Sequence, residues 1–330
     1  MFRIRLLVFL FFIPGPSLLL AQSPRFYLGF DQILDNREYF TPYGYHQTIF
    51  GARINPGVAF HLDTLHQLRA GINYMFEYGG DLLGVRPQPE LYYHYRGERL
   101  HLRTGVFPRE ELTEYPLVLL TDTLRYYRPH MEGGSVRYRW KSGWVHGWVD
   151  WTGREDTVTR ESILAGIDAR VRYRFVYLEA FLTRYHLART TSPSDENRLR
   201  DDGSILVLAG ADLSGLSGLR SFREISFSTG YLGTYEWERP EPNRWFRGWY
   251  SKAELRAGVF GFSGVYYRGD PPPLRYGDPL FRSGNYARLD LFADPFTDPR
   301  IRSRIGWSFH LIPGEGLYHS MQLLISVRIP

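Results

Sequence analysis

The stretch KAELRAGVF, residues 252–260, decides the fold. Lys252, Glu254 and Arg256 occupy every second position, and Ala253, Leu255, Ala257 and Val259 fill the places between them. Successive side chains of a β-strand point to opposite faces, so this spacing predicts one wholly apolar face and one wholly charged face. The same period runs through the chain. Leu68, Ala70, Ile72, Tyr74 and Phe76 alternate with Gln67, Arg69, Gly71, Asn73 and Glu77. Ile163, Ala165, Ile167, Ala169 and Val171 alternate with Gly166, Asp168, Arg170 and Arg172. Met321, Leu323, Ile325, Val327 and Ile329 close the sequence in the same way. Amphipathic helical spacing is scarce, and the expectation is an all-β protein.

Connection lengths separate a soluble sandwich from a barrel. Strands are expected near residues 25–35, 47–62, 67–78, 90–96, 100–107, 134–141, 144–152, 161–173, 175–187, 204–213, 223–236, 248–259, 262–268, 285–293, 300–312 and 318–329. Most approach the ~9–11 residues that a tilted membrane-crossing strand needs. Tight turns at 63–66, 96–99, 142–143, near 174 and at 260–261 alternate with longer loops at 37–46, 80–89, 108–133, 153–160, 188–203, 237–247 and 269–284. Only the connections at 214–222 and 313–317 depart from that rhythm. Short turns on one rim and long loops on the other mark a transmembrane up-and-down antiparallel β-barrel, here of about sixteen strands and within the range of roughly 14–18. Tyr78, Trp140, Trp151, Tyr173, Tyr231 and Trp307 fall near strand ends on the apolar face, where amphipathic rings favour the headgroup level.

The N-terminus, MFRIRLLVFLFFIPGPSLLLAQS, places Arg3 and Arg5 before an apolar run and Ala21 after a Pro/Gly break. That order predicts an export signal over residues 1–21, with a barrel domain over 22–330 and Sec-dependent delivery to the outer membrane. The chain has 330 residues and no cysteine, which excludes disulfide frameworks and Cys-based redox or zinc sites. Its net charge of +5 is spread among interleaved acids, so no nucleic-acid partner is expected.

With these features the chain resembles the porin-like outer-membrane barrels of Gram-negative bacteria. DNREYFTPYGYHQTIFGARINPGVAF and DTLRYYRPHMEGG are similar to stretches in uncharacterised barrels of the Bacteroidota. The ending Arg328-Ile329-Pro330 departs from the terminal aromatic residue common in such barrels. The resemblance implies outer-membrane lipid as surroundings, the barrel assembly machinery during biogenesis, and a homo-oligomer or envelope complex as the assembled state.

If the apolar face meets lipid, the charged face lines the lumen, since a mid-membrane Arg facing lipid costs about 2–4 kcal/mol. Arg137, Arg139, Arg170, Arg172, Lys252, Glu254, Arg256, Arg302 and Arg304 are therefore the lumen and selectivity candidates. Rings of such charges favour small polar solutes, anionic ones above all; alternatively they pair across strands as a structural network. The loop LTEYPLVLLTDTLRYYRPHMEGG (112–134) is unusually apolar; similarity to general porins implies an inward fold that constricts the pore, and the alternatives are packing over the barrel mouth or latching onto a neighbouring protomer or partner protein. Glu114, Asp122, Arg125 and Arg128 are its constriction candidates. The expected function is passive passage through an Arg-rich lumen. The alternative is a plugged barrel serving as anchor or docking component of an envelope complex, and an outer-membrane lipid hydrolase is a distant third. Hydrolase, protease, phosphate-loop and dinucleotide motifs are missing. Ser308 and His310 share a face, but in the reverse of the His-x-Ser order of outer-membrane lipid hydrolases. No enzymatic role, cofactor or metal is expected.

Overall fold

The computed structural model describes residues 24–81, 86–112, 115–156, 159–189, 198–216, 218 and 221–330. The expected signal segment, 1–21, lies outside the described residues. The strands are β1 (Arg25–Glu38), β2 (Gln47–His61), β3 (His66–Glu77), β4 (Gln88–Arg96), β5 (Leu100–Pro108), β6 (His130–Trp140), β7 (Gly143–Gly153), β8 (Ser162–Tyr173), β9 (Val176–Leu187), β10 (Arg200–Asp212), β11 (Phe222–Glu238), β12 (Arg244–Ala257), β13 (Phe260–Gly269), β14 (Asn285–Ala293), β15 (Ile301–Ile312) and β16 (Gly316–Ile329). Each pairs antiparallel with its sequence neighbours, and β1 pairs with β16 to close the barrel. Closure leaves no unpaired edge, the condition a sheet must meet to span a bilayer.

The alternation sorts as chemistry requires. Leu178, Leu182, Ile167, Val149, Trp249, Ile305 and Trp307 are exposed on the outer wall. A belt of large exposed apolar groups around a closed barrel is the lipid-facing band of a membrane protein. KAELRAGVF follows the pattern up to Ala257, where β12 ends. Gly258 takes φ 58° in the hairpin turn, so Val259 belongs to the turn and not to the strand. Lys252 pairs with Glu254 at 3.0 Å and Arg256 with Glu224 at 2.8 Å, all on the inner wall.

The long connections share one rim with the β1–β2 and β15–β16 ends, which makes it the outer rim. The third outer loop is shorter than the sequence suggests, because β6 begins at His130. Its base is pinned by Arg109, whose backbone N–H donates to Pro129 O at 2.7 Å and whose Nε donates to Arg128 O at 3.1 Å. From there the loop turns into the lumen and forms a one-turn helix, α1 (Leu124–Tyr127).

The seventh outer loop, 270–284, enters from the opposite wall. Asp278 caps a short 3-10 turn, Pro279–Ser283, by accepting from the Leu280 N–H at 3.0 Å. Gly284 ends that turn at φ 73°, and a Cβ there would meet Gly269 O at 2.8 Å. The two loops join through Thr121 N–H to Tyr276 O (2.7 Å) and Asp278 N–H to Leu117 O (2.9 Å).

Val118, Leu119, Leu120, Leu280 and Phe281 are buried against Tyr92, Phe107, Trp148, Phe181, Leu206, Leu232, Tyr250, Tyr267 and Tyr286 on the inner wall. Water lines the lumen of an open porin at this level, whereas here an apolar core reaches the walls of most strands. Each buried Leu, Val or Phe contributes ~1.5–3 kcal/mol, enough to hold two otherwise irregular loops inside.

Candidate functional site

The lumen charges are placed on the inner wall and are mostly paired. Arg170 meets Glu179 at 3.3 Å and lies 3.9 Å over the Tyr177 ring, and Arg172 meets Asp212 at 3.1 Å. Arg304 holds Asp294 in a bidentate pair at 2.7 and 2.8 Å, and Arg256 reaches the same carboxylate at 3.5 Å. Arg137 lies 4.2 Å over the Trp144 ring. Arg139 and Arg302 are exposed towards the turn rim. Arg137, Arg170, Lys252, Glu254, Arg256 and Arg304 line a polar cavity of about 710 Å³ beneath the two loops; Arg139, Arg172 and Arg302 lie outside it.

Of the loop candidates, Glu114 lies outside the described residues. Asp122 is buried between Arg37 (2.9 Å) and Arg288 (3.9 Å), and these two guanidiniums hold its carboxyl down to about 2 against the cost of burial. Arg128 donates to Thr152 O at 2.9 Å, and the Arg125 carbonyl accepts from Arg53 at 2.6 Å. Asp278, in the same core, is pushed up to about 6 by burial and by the nearby Asp122 charge. Asp122, Arg128 and the Arg125 backbone thus tie the third loop to the inner wall.

Ser308 and His310 do not bond to each other. His310 is fully buried, with Nδ1 2.6 Å from the Tyr286 hydroxyl and Nε2 3.2 and 3.3 Å from those of Tyr39 and Ser320. Ser308 accepts from Arg288 at 3.3 Å. Each is engaged by other partners: the Tyr39, Tyr286 and Ser320 hydroxyls surround the His310 ring, and Arg288 takes Ser308.

The outer wall carries polar groups that the sequence reading missed. On β9 the outward positions run Leu178, Ala180, Leu182 and then Arg184 and His186; on β10 they run Asp201, Gly203, Ile205 and Val207. Register sets His186 opposite Asp201 and Arg184 opposite Gly203. His186 Nδ1 lies 2.8 Å from Asp201 Oδ1, and Arg184 donates to the same oxygen at 3.1 Å. Asp201 is 1% exposed, while the Arg184 side chain is 62% exposed. Arg239 stands 4.0 Å from Asp201 Oδ2, its guanidinium 4.0 Å over the Trp237 ring. Gly203 leaves room for Tyr235, whose ring atom Cε1 would sit 2.6 Å from a Cβ at that position.

With Nδ1–H donated to the carboxylate, Nε2 of His186 is a free base that faces the outside. It has no partner among the described residues. A buried Asp, an oriented His and two arginines thus stand at or beside the outer-rim ends of β9 and β10, on the outward side of the wall. A hydrogen-bonded row of outward residues leads away from them, from Gly233 through Ile205, Leu182, Ile167, Gly147 and Val136 to Leu102. The row floors an apolar groove of about 1650 Å³ that ends at Arg184, Tyr235 and Trp245.

Diametrically across the barrel, Glu38 and His319 also face outward, 3.2 Å apart, with Thr48 donating to Asn36 at 2.7 Å. There the carboxylate is exposed, and the second ring nitrogen of His319 is buried without a partner, so this pair offers no free base.

A signal for the β9–β10 site existed in the sequence: charge replaces apolar residues at the outward parity of two adjacent strand ends. It was hidden because β10 begins at Arg200, four residues before the expected start, which left Asp201 in a presumed loop.

A family model described as lipid A 3'-O-deacylase-type matches residues 21–313. No curated protein matches the chain. Among solved structures, the loop L8 deletion mutant of OmpT, an outer-membrane protein of Vibrio cholerae, is similar at 10% identity and TM-score 0.57, covering 93% of this chain and 99% of that one. The anion-selective porin of Comamonas acidovorans gives 11% identity and TM-score 0.56, covering 93% and 100%. OmpF of Salmonella typhi gives 10% and 0.55, covering 93% and 97%. The porin likeness establishes the fold and an integral outer-membrane barrel. The family match overturns the expectation of no enzymatic role. His319 lies beyond the matched residues, whereas the β9–β10 site lies within them.

Proposed function

We propose that this chain, which belongs to the lipid A 3'-O-deacylase-type family, hydrolyses an acyl ester of an outer-leaflet lipid at the Asp201–His186 dyad. The carrying observation is a buried carboxylate holding His186 Nδ1 at 2.8 Å on the lipid-facing wall, with the other ring nitrogen free. His186 Nε2 takes a proton from water as the water oxygen bonds to the ester carbonyl carbon. The bond from that carbon to the alcohol oxygen then breaks. The proton passes from His186 to the departing alkoxide, leaving a free carboxylic acid and an alcohol. Arg184 stands where it can meet the developing oxyanion or a headgroup phosphate. Asp201 fixes the tautomer and steadies the imidazolium. The groove supports the reading, because it gives the acyl chain an apolar bed that ends at Arg184, which itself donates to Asp201.

The test is mass spectrometry of lipid A incubated with the purified barrel in mixed micelles. His186→Ala and Asp201→Asn are expected to lower acyl release by about 10²–10⁴-fold with the folded gel band unchanged. Activity retained in both variants overturns the assignment.

A second reading, restricted passage of small polar solutes, is supported by the charged lower lumen and the porin-like fold. Stepwise conductance of the wild-type protein in planar bilayers would favour it. Silence from folded protein would favour a lumen that serves as structural filler, as in a plugged anchor.

A further inference from the structure

Between the third outer loop and the walls of β1–β4 lies a second interior cavity, of about 290 Å³. Its acids are already satisfied. Glu90 accepts from the Tyr27 hydroxyl (2.9 Å) and Asn55 Nδ2 (3.0 Å) and faces His130 Nε2 at 3.3 Å. Asp31 accepts from Ser326 Oγ at 2.7 Å and pairs with Arg328 at 2.7 Å. The donors are not. Arg109 spends Nε on Arg128 O and Nη2 on His130 O and Asp150, yet its Nη1 is buried without a partner. Arg53 spends Nη2 on the carbonyls of Arg125 and Tyr126 and pairs through Nη1 with Asp31 at 3.8 Å, but its Nε is likewise unpartnered. Arg109 is 6% exposed. Leaving a charged donor dry and unpaired is unfavourable, so the cavity has unspent capacity for an acceptor. Ile33, Leu112, Leu120, Leu124 and Leu324 form an apolar part of the lining, beside the polar Gln32, Asn73 and Thr121 and the Asp122 carboxylate, which Arg37 already holds at 2.9 Å.

We infer that this cavity binds a small organic carboxylate, its oxygens on the Arg109 and Arg53 donors and its short hydrocarbon body against the leucines. Water alone would satisfy the donors but would wet the leucines at a loss; an oxyanion without a hydrocarbon body leaves the same surface unfilled. The bound carboxylate would tie the base of the third loop, through Arg109, to the wall of β2, through Arg53.

The site is independent of the outer-wall dyad. The test uses butyrate against the full barrel refolded in detergent micelles, read by calorimetric titration and by the thermal unfolding midpoint. Saturable binding is expected, with a concentration-dependent rise in midpoint. Arg109→Lys keeps the charge opposite Asp150 but loses the spare donor, and should weaken binding at least tenfold. If that variant does not fold, Arg53→Lys carries the same forecast. Leu124→Trp, which fills the cavity, should abolish binding while the folded gel band persists. No butyrate-dependent shift in the wild type, or equal shifts in all variants, overturns the proposal. An equal effect of inorganic phosphate overturns the carboxylate-with-hydrocarbon assignment.

Discussion

Replacing Asp122 by Ala probes what holds the third loop inside the lumen. Its carboxylate stands 2.9 Å from Arg37 and 3.9 Å from Arg288, and both arginine side chains are less than one-tenth exposed. Removing one partner of a buried ion pair costs about 3–5 kcal/mol, because the other charge is left uncompensated. Here each arginine keeps a same-strand carboxylate, Asp35 at 2.6 Å for Arg37 and Asp290 at 2.7 Å for Arg288. The loss should therefore fall at the lower end, about 3 kcal/mol. Asp122→Asn retains a hydrogen-bonding oxygen but no charge and should lose less. The measurement is reversible urea unfolding in lipid vesicles followed by tryptophan fluorescence, at pH 7 and again under acid. Asp122 is held down to about 2, so its contribution is present above the ordinary carboxylate value near 4 and disappears as pH falls towards 2. The wild-type advantage over Asp122→Ala should shrink over that window. A loss under 1 kcal/mol at pH 7, or a pH-independent difference, would refute the claim that this triad anchors the plug.

Asp278 titrates in the opposite sense. Its carboxyl is raised from 3.8 to about 6, so the folded state binds the extra proton and stability falls as pH rises from about 4 to 6. Asp278→Asn keeps the cap on Leu280, should stabilise the barrel by about 3 kcal/mol at pH 7.5, and should flatten that segment of the stability–pH curve; equal slopes for both proteins would count against it. Val118→Asp puts an unpaired carboxylate at a fully buried lumen position. It should cost at least about 3 kcal/mol or expel the loop, seen as lowered unfolding midpoint or new conductance in planar bilayers, and a silent, fully stable variant contradicts the packed plug. Gly203→Val would press on both Tyr235 and the Thr183 carbonyl and should cut lipid hydrolysis about tenfold, measured by acyl release from the fraction that still gives the folded gel band.

Much of the architecture was legible because a barrel wall has only two environments. Lipid tolerates no charge at mid-depth, and the period of a strand is two, so Leu255 and Lys252 declare their faces without knowledge of any neighbour. Connection lengths then set which rim is outside. The same logic located Arg170, Arg256 and Arg304 on the inner wall but not their partners, which sit on other strands at registers fixed only by closure. Asp201 and His186 were missed for a related reason. Each is an unremarkable polar residue in its own segment; they become a dyad only when β9 and β10 pair.

The sequence by itself determined an outer-membrane β-barrel, a strand count near sixteen, and an apolar third loop that had to bury itself. Periodicity and hydropathy are local properties, and the bilayer enforces them position by position. Tertiary structure alone decided that the third loop meets the seventh across the lumen, that Asp122 neutralises arginines from strands at both ends of the chain, and that a His–Asp pair faces lipid. Those outcomes depend on which residues closure brings within about 3–4 Å, a distance over which hydrogen bonds and buried charges act and which no local pattern encodes.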